Sequence, residues 1–323
     1  MDVKSILAPI KEDLVAFEND FKAMFQSNVD IIDQIADHLI RTKGKRLRPA
    51  LVLLAASTHG KPNGDAIRVA AIVELIHTAT LVHDDVVDEA ALRRGAPSLN
   101  SIWDNHVSVL MGDYLLSRAV CLITFLESRE MMQTISKSTE RLSKGELLQA
   151  THGFDPDITE DQYYSIISEK TASLIASGCE VGAYLTSGSP EIAKDFRRYG
   201  EHLGKAFQIS DDLLDYVGDE QTIGKPTGND VQAGTVTLPL IRAMEEASPS
   251  ETSRIQKLLN GDWNEEAWPT IVDFTHRHGG IDYARSKARD FGAAAKAELV
   301  DIKDSPAKQS LLEMVDFAID REM

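Results

Sequence analysis

Residues 74–88 read Glu74-Leu-Ile-His77-Thr-Ala79-Thr80-Leu-Val-His83-Asp84-Asp85-Val-Val-Asp88, the close of an apolar run that begins near Ala66. Apolar residues recur there at three- and four-residue spacing, the period of a helix and not the alternation of a strand. On that helix Asp84 and Asp88 (i, i+4) and Asp85 and Asp88 (i, i+3) share one surface, so the run ends in a knot of carboxylates. A second copy, Asp211-Asp212-Leu-Leu-Asp215, ends another apolar run. One such cluster alone reads as a solvated helix end. Its repetition after a second helix argues for a shared task. Carboxylate oxygens are preferred ligands of Mg²⁺, which keeps much of its water and shares one or two carboxylates with substrate phosphates. Two facing clusters therefore predict several metal ions and a diphosphate guest.

Outward from these motifs the helical period continues along nearly the whole chain, and strand-length alternation is missing. The expected fold class is all-α, with helices over residues 3–25, 28–41, 48–59, 64–89, 98–127, 129–152, 159–187, 190–217, 236–247, 251–260, 266–278, 280–300 and 305–321. Stretches 66–83, 107–126 and 172–186 are apolar around much of their circumference. Such helices suit the centre of an assembly around a deep apolar cavity.

Composition narrows the function. With 34 basic and 51 acidic residues the chain carries −17, which disfavours nucleic acid as a partner. Its 323 residues show no linker or low-complexity tract, so one domain over residues 1–323 is expected. Cys121 and Cys179 are too few for a disulfide framework and read as buried thiols in a reducing compartment. No signal-type core and no membrane-length apolar stretch is read, so the expectation is a cytoplasmic protein that is not transmembrane.

Against this acidic background, Arg41, Lys43, Lys45, Arg46 and Arg48 stand together without an acid among them. Gly44-Lys-Arg-Leu-Arg-Pro49 reads as a turn into a helix, and proline is welcome in a first helical turn. Backbone N–H groups and arginine forks beside a helix start suit a phosphate; the bland reading is a solvated basic turn. Arg93-Arg94-Gly95 follows the first acidic cluster closely, and His77 lies two turns before Asp84 on nearly the same face. By itself His77 reads as a core histidine, and His83 receives no role. Lys170, Thr171 and Gln208 interrupt apolar helical stretches and would face the cavity if Asp211 does.

Taken together, these motifs resemble the trans-isoprenyl diphosphate synthases of the polyprenyl synthetase family, from about Lys43 to Arg242. The resemblance rests on Gly44–Pro49, Glu74 to Asp88, Arg93-Arg94-Gly95, Gly112-Asp113, Lys170-Thr171, Gln208 with Asp211–Asp215, and Gly224-Lys225-Pro226. It implies the isoprenoid synthase fold, a homodimer, and about three Mg²⁺ held by Asp84, Asp85, Asp88, Asp211 and Asp212, with Asp215 nearby. Arg93, Lys170 and Lys225 would then neutralise the diphosphate of an allylic substrate. Lys45, Arg48, His77 and Arg94 would bind that of isopentenyl diphosphate. Thr171 and Gln208 would aim dipoles at the allylic cation in an otherwise apolar pocket, and the bound diphosphate would take the final proton.

One departure is Thr235, which stands where many relatives carry a phosphate-binding lysine. Product length follows from the pocket floor. Ala79 and Thr80 occupy places where short-chain relatives carry bulky residues, and Val73 and Ile76 lie deeper on the same helix. This open gate implies a long-chain product, hexaprenyl to decaprenyl with octaprenyl at the centre, used as a quinone side chain; a farnesyl or geranylgeranyl product is the alternative. A terpene cyclase would not need the second diphosphate site of Lys45, Arg48, His77 and Arg94. A non-catalytic partner subunit would lack complete acidic clusters, and a metal-buffering scaffold would not need Gly44–Pro49.

Overall fold

The chain folds almost entirely as helices, as its periodicity predicts. A computed structural model describes residues 2–25, 27–126, 128–153, 155–217, 228–232, 234–261 and 266–320. In order they form α1 (Val3–Ile6), a 3-10 turn (Ala8–Ile10), α2 (Lys11–Ala23), α3 (Asp30–Arg41), α4 (Leu47–Ser57) and α5 (Gly64–Val87). A small antiparallel hairpin, β1 (Leu92–Arg93) and β2 (Ala96–Pro97), follows. Next come α6 (Leu99–Trp103), α7 (Asn105–Ile123), α8 (Arg129–His152), α9 (Glu160–Ile167), a π-helical turn (Ser168–Ala172), α10 (Ser173–Ser187) and α11 (Pro190–Val217). Helices over Asn229–Gln232, Leu238–Glu246, Pro249–Leu259, Ala267–Arg277, Gly280–Glu298 and Pro306–Ile319 complete the described residues.

Local chemistry sets the boundaries. The Asn63 side chain accepts from the Ala66 N–H at 3.0 Å and starts α5, Thr159 and Gln162 form a reciprocal capping box at α9, and Gly188 ends α10 in the left-handed region at φ 64. Three expected helices are divided, the first of them, residues 3–25, by the 3-10 turn Ala8–Ile10. Residues 98–127 break at Asp104, whose φ of 81 turns the chain while its side chain caps α7 through the Val107 N–H at 2.9 Å. Residues 159–187 are interrupted by the π-turn, which periodicity alone does not reveal.

Packing explains the uniformly apolar stretches. α10 lies among α4, α5, α8 and α11 and is buried along most of its length. Small residues allow this approach: a Cβ on Gly182 would fall 2.4 Å from the Val52 carbonyl oxygen, and one on Gly204 2.5 Å from Ala172 Cα. α11 links two apolar clusters. Its Phe196, Tyr199 and Leu203 join the core built on α4, α5, α7 and α10, while Ile209, Leu213 and Tyr216 join that of α9 and the helices over Leu238–Glu246, Ala267–Arg277 and Gly280–Glu298. The Pro306–Ile319 helix returns to α4 and α11.

Two described helices, α5 and α7, are long and apolar enough to cross a membrane by length and composition, with mean hydropathies of 1.4 and 1.3, correcting the expectation of no such stretch. In α5 that apolarity serves the core, where 61% of the window is buried. α7 differs: only 28% of its window is buried, and Val109, Leu110 and Val120 are exposed. Cys179 is buried as expected, but Cys121, also on α7, is exposed.

Candidate active site

A cavity of about 750 Å³ opens among α4, α5, α8, the π-turn and α11. Asp84 and Asp211, the first carboxylate of each acidic motif, both line it. Asp84 sits at the C-terminal end of α5, where the helix dipole disfavours a negative charge. Asp88 caps the same end, its N–H donating to the Asp84 carbonyl at 2.8 Å. Burial first, then the Glu146 and Asp88 carboxylates, push the Asp84 carboxyl up to about 7 against the pull of Lys170 and Arg93. Nothing in folding favours such crowding, so its use lies in what the carboxylates hold.

The middle aspartates behave differently from the expectation of metal ligation. Asp85 and Asp212 are only 4% and 5% exposed and do not line the cavity. Asp85 accepts from Arg93 Nε at 2.7 Å and pairs with its Nη2 at 2.5 Å. Asp212 accepts from the Tyr163 hydroxyl at 2.6 Å and from Gln208 Nε2 at 2.8 Å. Burial and Asp212 raise the Tyr163 phenol well above its ordinary range, so it stays a donor. Each motif therefore turns one carboxylate to the cavity and one into the protein. The reason is helical: adjacent residues diverge by about 100°. Arg93, expected on the allylic diphosphate, lines the cavity while its guanidinium holds Asp85.

The basic residues converge as expected. Lys45, Arg48, His77 and Arg94 line the same cavity. Arg46, at a left-handed φ of 54 at the start of α4, also borders the cavity, but its guanidinium is engaged within the protein: it pairs with Glu74 and Glu18 and stacks on Phe21, 4.8 Å from the ring centre. At Gly44 the Arg94 guanidinium packs directly on the backbone, its carbon 2.6 Å from where a Cβ would stand. Arg48 Nη1 donates to His77 Nε2 at 3.0 Å, which leaves the ring proton on Nδ1. Burial, followed by Arg48, Arg94, Arg46 and Arg93, holds His77 well below its usual range, so the ring is neutral. His83 stays outside the cavity and bonds the Val109 carbonyl at 3.2 Å.

Lys170, Thr171 and Gln208 also reach the cavity. Lys170 Nζ lies 2.8 Å from Glu146, and the Thr171 hydroxyl donates to Gln208 Oε1 at 2.8 Å. The hydroxyl oxygen thereby keeps its lone pairs for the cavity, whereas the Gln208 oxygen expected to act alone is already engaged. Glu146 and Tyr163 were not anticipated. Glu146 is one acid among several on α8, and Tyr163 meets Asp212 only through tertiary packing.

Of the expected floor residues, Thr80 lines the cavity; Ala79, Ile76 and Val73 are buried in the core of α5 instead. Leu142 and Leu174 line it and were not singled out. Thr235 is half-buried, and Lys225 lies outside the described residues.

Hard oxygen donors on two helices, beside fixed cations, suit an ion shared with a phosphate. Among the described residues no three acidic, histidine or cysteine groups form a cage on their own, and Mg²⁺ bound through one or two carboxylates plus substrate oxygens needs none. Fold and site together define an all-α protein in which carboxylates of two acidic motifs and a basic cluster share one cavity.

The comparisons give that class its family. The Polyprenyl synthetase profile matches residues 29–273, and the chain belongs to this family. It is 37% identical over 98% of both chains to an all-trans-nonaprenyl-diphosphate synthase (geranyl-diphosphate specific) of Rhodobacter capsulatus. It is 35% identical, over 100% of this chain and 99% of the other, to a short chain isoprenyl diphosphate synthase of Methanothermobacter thermautotrophicus. A crystal structure of polyprenyl synthase from Caulobacter crescentus, complexed with calcium and isoprenyl diphosphate, superposes with a TM-score of 0.94 at 34% identity, covering 100% of this chain and 98% of that one.

Proposed function

We propose that the protein is a trans-polyprenyl diphosphate synthase, a prenyltransferase that condenses isopentenyl diphosphate head-to-tail onto an allylic diphosphate to a long-chain product. The carrying observation is that Asp84, Asp211, Lys170, Arg48, His77 and Arg94 line one cavity. Two anionic substrates need two cationic supports, and the site has them: Lys170 with the acidic motifs, and Lys45, Arg48, His77 and Arg94. Mg²⁺, bound by Asp84 and Asp211 with Asp88 and Asp215 beside them, would supply positive charge to the departing diphosphate.

The remaining chemistry belongs to the chain. Lys170 neutralises the allylic diphosphate as its C–O bond breaks and the electron pair leaves with oxygen. The Thr171 oxygen stands over the resulting allylic cation. Arg48, Arg94 and neutral His77 hold isopentenyl diphosphate so that its double bond supplies the electrons of the new carbon–carbon bond. The proton released then passes to an oxygen of the departed diphosphate. Asp85 and Asp212 act by holding Arg93 and the Tyr163–Gln208–Thr171 network in place.

Product length is read from the floor. The two relatives named above differ in product class at similar identity, so overall likeness does not set length. Small Thr80 leaves the entrance of the floor open and supports hexaprenyl to decaprenyl, with octaprenyl at the centre. Residues 1–323 are taken as one folded unit, supported by α11 passing through both apolar clusters. A cytoplasmic homodimer, closed over the exposed apolar face of α7, completes the reading.

Incubation with Mg²⁺, isopentenyl diphosphate and farnesyl or geranylgeranyl diphosphate, followed by chromatographic sizing of the lipid, tests it. Loss of isopentenyl diphosphate into a product of six to ten units is expected. No consumption would refute the activity, and arrest at three or four units would refute the length.

A further inference from the structure

We infer that Arg141 is a positioning residue for the condensation, acting through the π-turn that carries Lys170 and Thr171; this rests on the function proposed above. α9 and α10 would run on as one helix but for residues Ser168–Ala172, where the Ser173 N–H bonds the Ser168 carbonyl in the wider register of a π-turn. A helix advances about 100° per residue. Relaxation of the turn to ordinary register would rotate one flank against the other by that angle. Lys170 and Thr171, which now both face the cavity, would no longer do so together.

Arg141 on α8 is the group that ties this turn down. Its Nη2 donates to the Ser168 carbonyl at 3.3 Å and the Ser168 hydroxyl at 3.0 Å. Nε donates to Glu169 at 3.1 Å, and Nη1 to Glu201 on α11 at 3.3 Å. The Ser168 hydroxyl in turn donates to Glu201. One planar fork thus joins α8, the start of the turn and α11. Gly145, one helical turn further along α8, seats the same segment: a Cβ there would lie 2.3 Å from the Lys170 backbone nitrogen. Next to it, Glu146 meets the Lys170 ammonium. Arg141 itself does not line the cavity and touches no reacting group. It lines a separate polar crevice on another face of α8. Its influence on the reaction runs through backbone geometry.

Lysine keeps the charge but not the fork, so Arg141→Lys isolates the geometric role. In steady-state kinetics of the full chain with saturating Mg²⁺, Arg141→Lys is expected to raise KM for the allylic diphosphate and lower kcat, together on the order of 100-fold in kcat/KM. KM for isopentenyl diphosphate, held by residues away from the turn, should stay unchanged. In a Lys170→Ala background the same substitution should add little further loss, because its target is already gone. If Arg141→Lys does not fold, Glu201→Gln loosens the same fork and is read in the same way. Wild-type kinetics in the variant, an equal rise in both KM values, or full additivity with Lys170→Ala would each overturn the inference while leaving the proposed function standing. A wild-type protein that condenses nothing would overturn that function, and this inference with it.

Discussion

Asp84 carries the conflict between stability and use most openly. Its carboxyl is raised to about 7 in the folded chain, against about 3.9 in an unfolded one. Between those values the folded state binds a proton that the unfolded state does not, so this group favours the metal-free fold as pH falls from about 7 towards 4 and opposes it above 7. Asp84→Asn is therefore expected to raise Tm of the metal-free protein at pH 8 by on the order of 3 °C, measured by calorimetry in chelator. The same change should cost about 100-fold or more in turnover. A lower Tm at pH 8 would contradict the account of crowding. At the floor, Thr80→Phe is expected to shorten the product, read by chromatography, while metal dependence persists. Leu142→Ala should lengthen it. Ala79→Phe, attractive from sequence, is the poorer probe: Ala79 is fully buried, and overpacking there costs about 1–3 kcal/mol.

The packing of α8 against the π-turn makes a prediction for the elements themselves. Gly145→Ala puts a methyl where the Lys170 backbone nitrogen is 2.3 Å away, and backbone cannot yield as a flexible side chain does. The two segments must separate, at a cost of about 1–3 kcal/mol, with Lys170 and Thr171 displaced together. Denaturant midpoint and turnover should fall in the same variant. Gly112 on α7 has a different neighbour, the His83 ring at 2.1 Å from an added Cβ; a side chain can swing, so the cost there falls on α5–α7 packing and not on the cavity.

Across the assembled chain, α7 is the surface left to be covered. Leu110 and Val120 are 54% and 60% exposed on an apolar helix that is mostly uncovered, and the proposed homodimer would cover them. Sedimentation should give a dimer for the wild type and a monomer for Leu110→Glu or Val120→Glu, each with unchanged helical content. A wild-type monomer would refute the dimer. The site also couples to global stability: Mg²⁺ with inorganic diphosphate at a hundred times its Kd should stabilise the fold by about 2.7 kcal/mol, and chelation should remove the gain.

Sequence by itself determined the helical architecture, the two acidic motifs, and the basic group of Lys45, Arg48, His77 and Arg94, because helical period and charge clustering are local properties. It did not distinguish Asp84 from Asp85, since adjacent helical residues share composition but point in different directions. The partners of Asp212 illustrate the limit: Tyr163 lies 49 residues away along the chain and meets it only because α9 packs on α11. The break of residues 159–187 into α9, π-turn and α10 is likewise a tertiary decision, imposed where Arg141 and Gly145 of α8 receive the turn. Local sequence sets which groups are present; packing between distant helices sets which of them face the cavity.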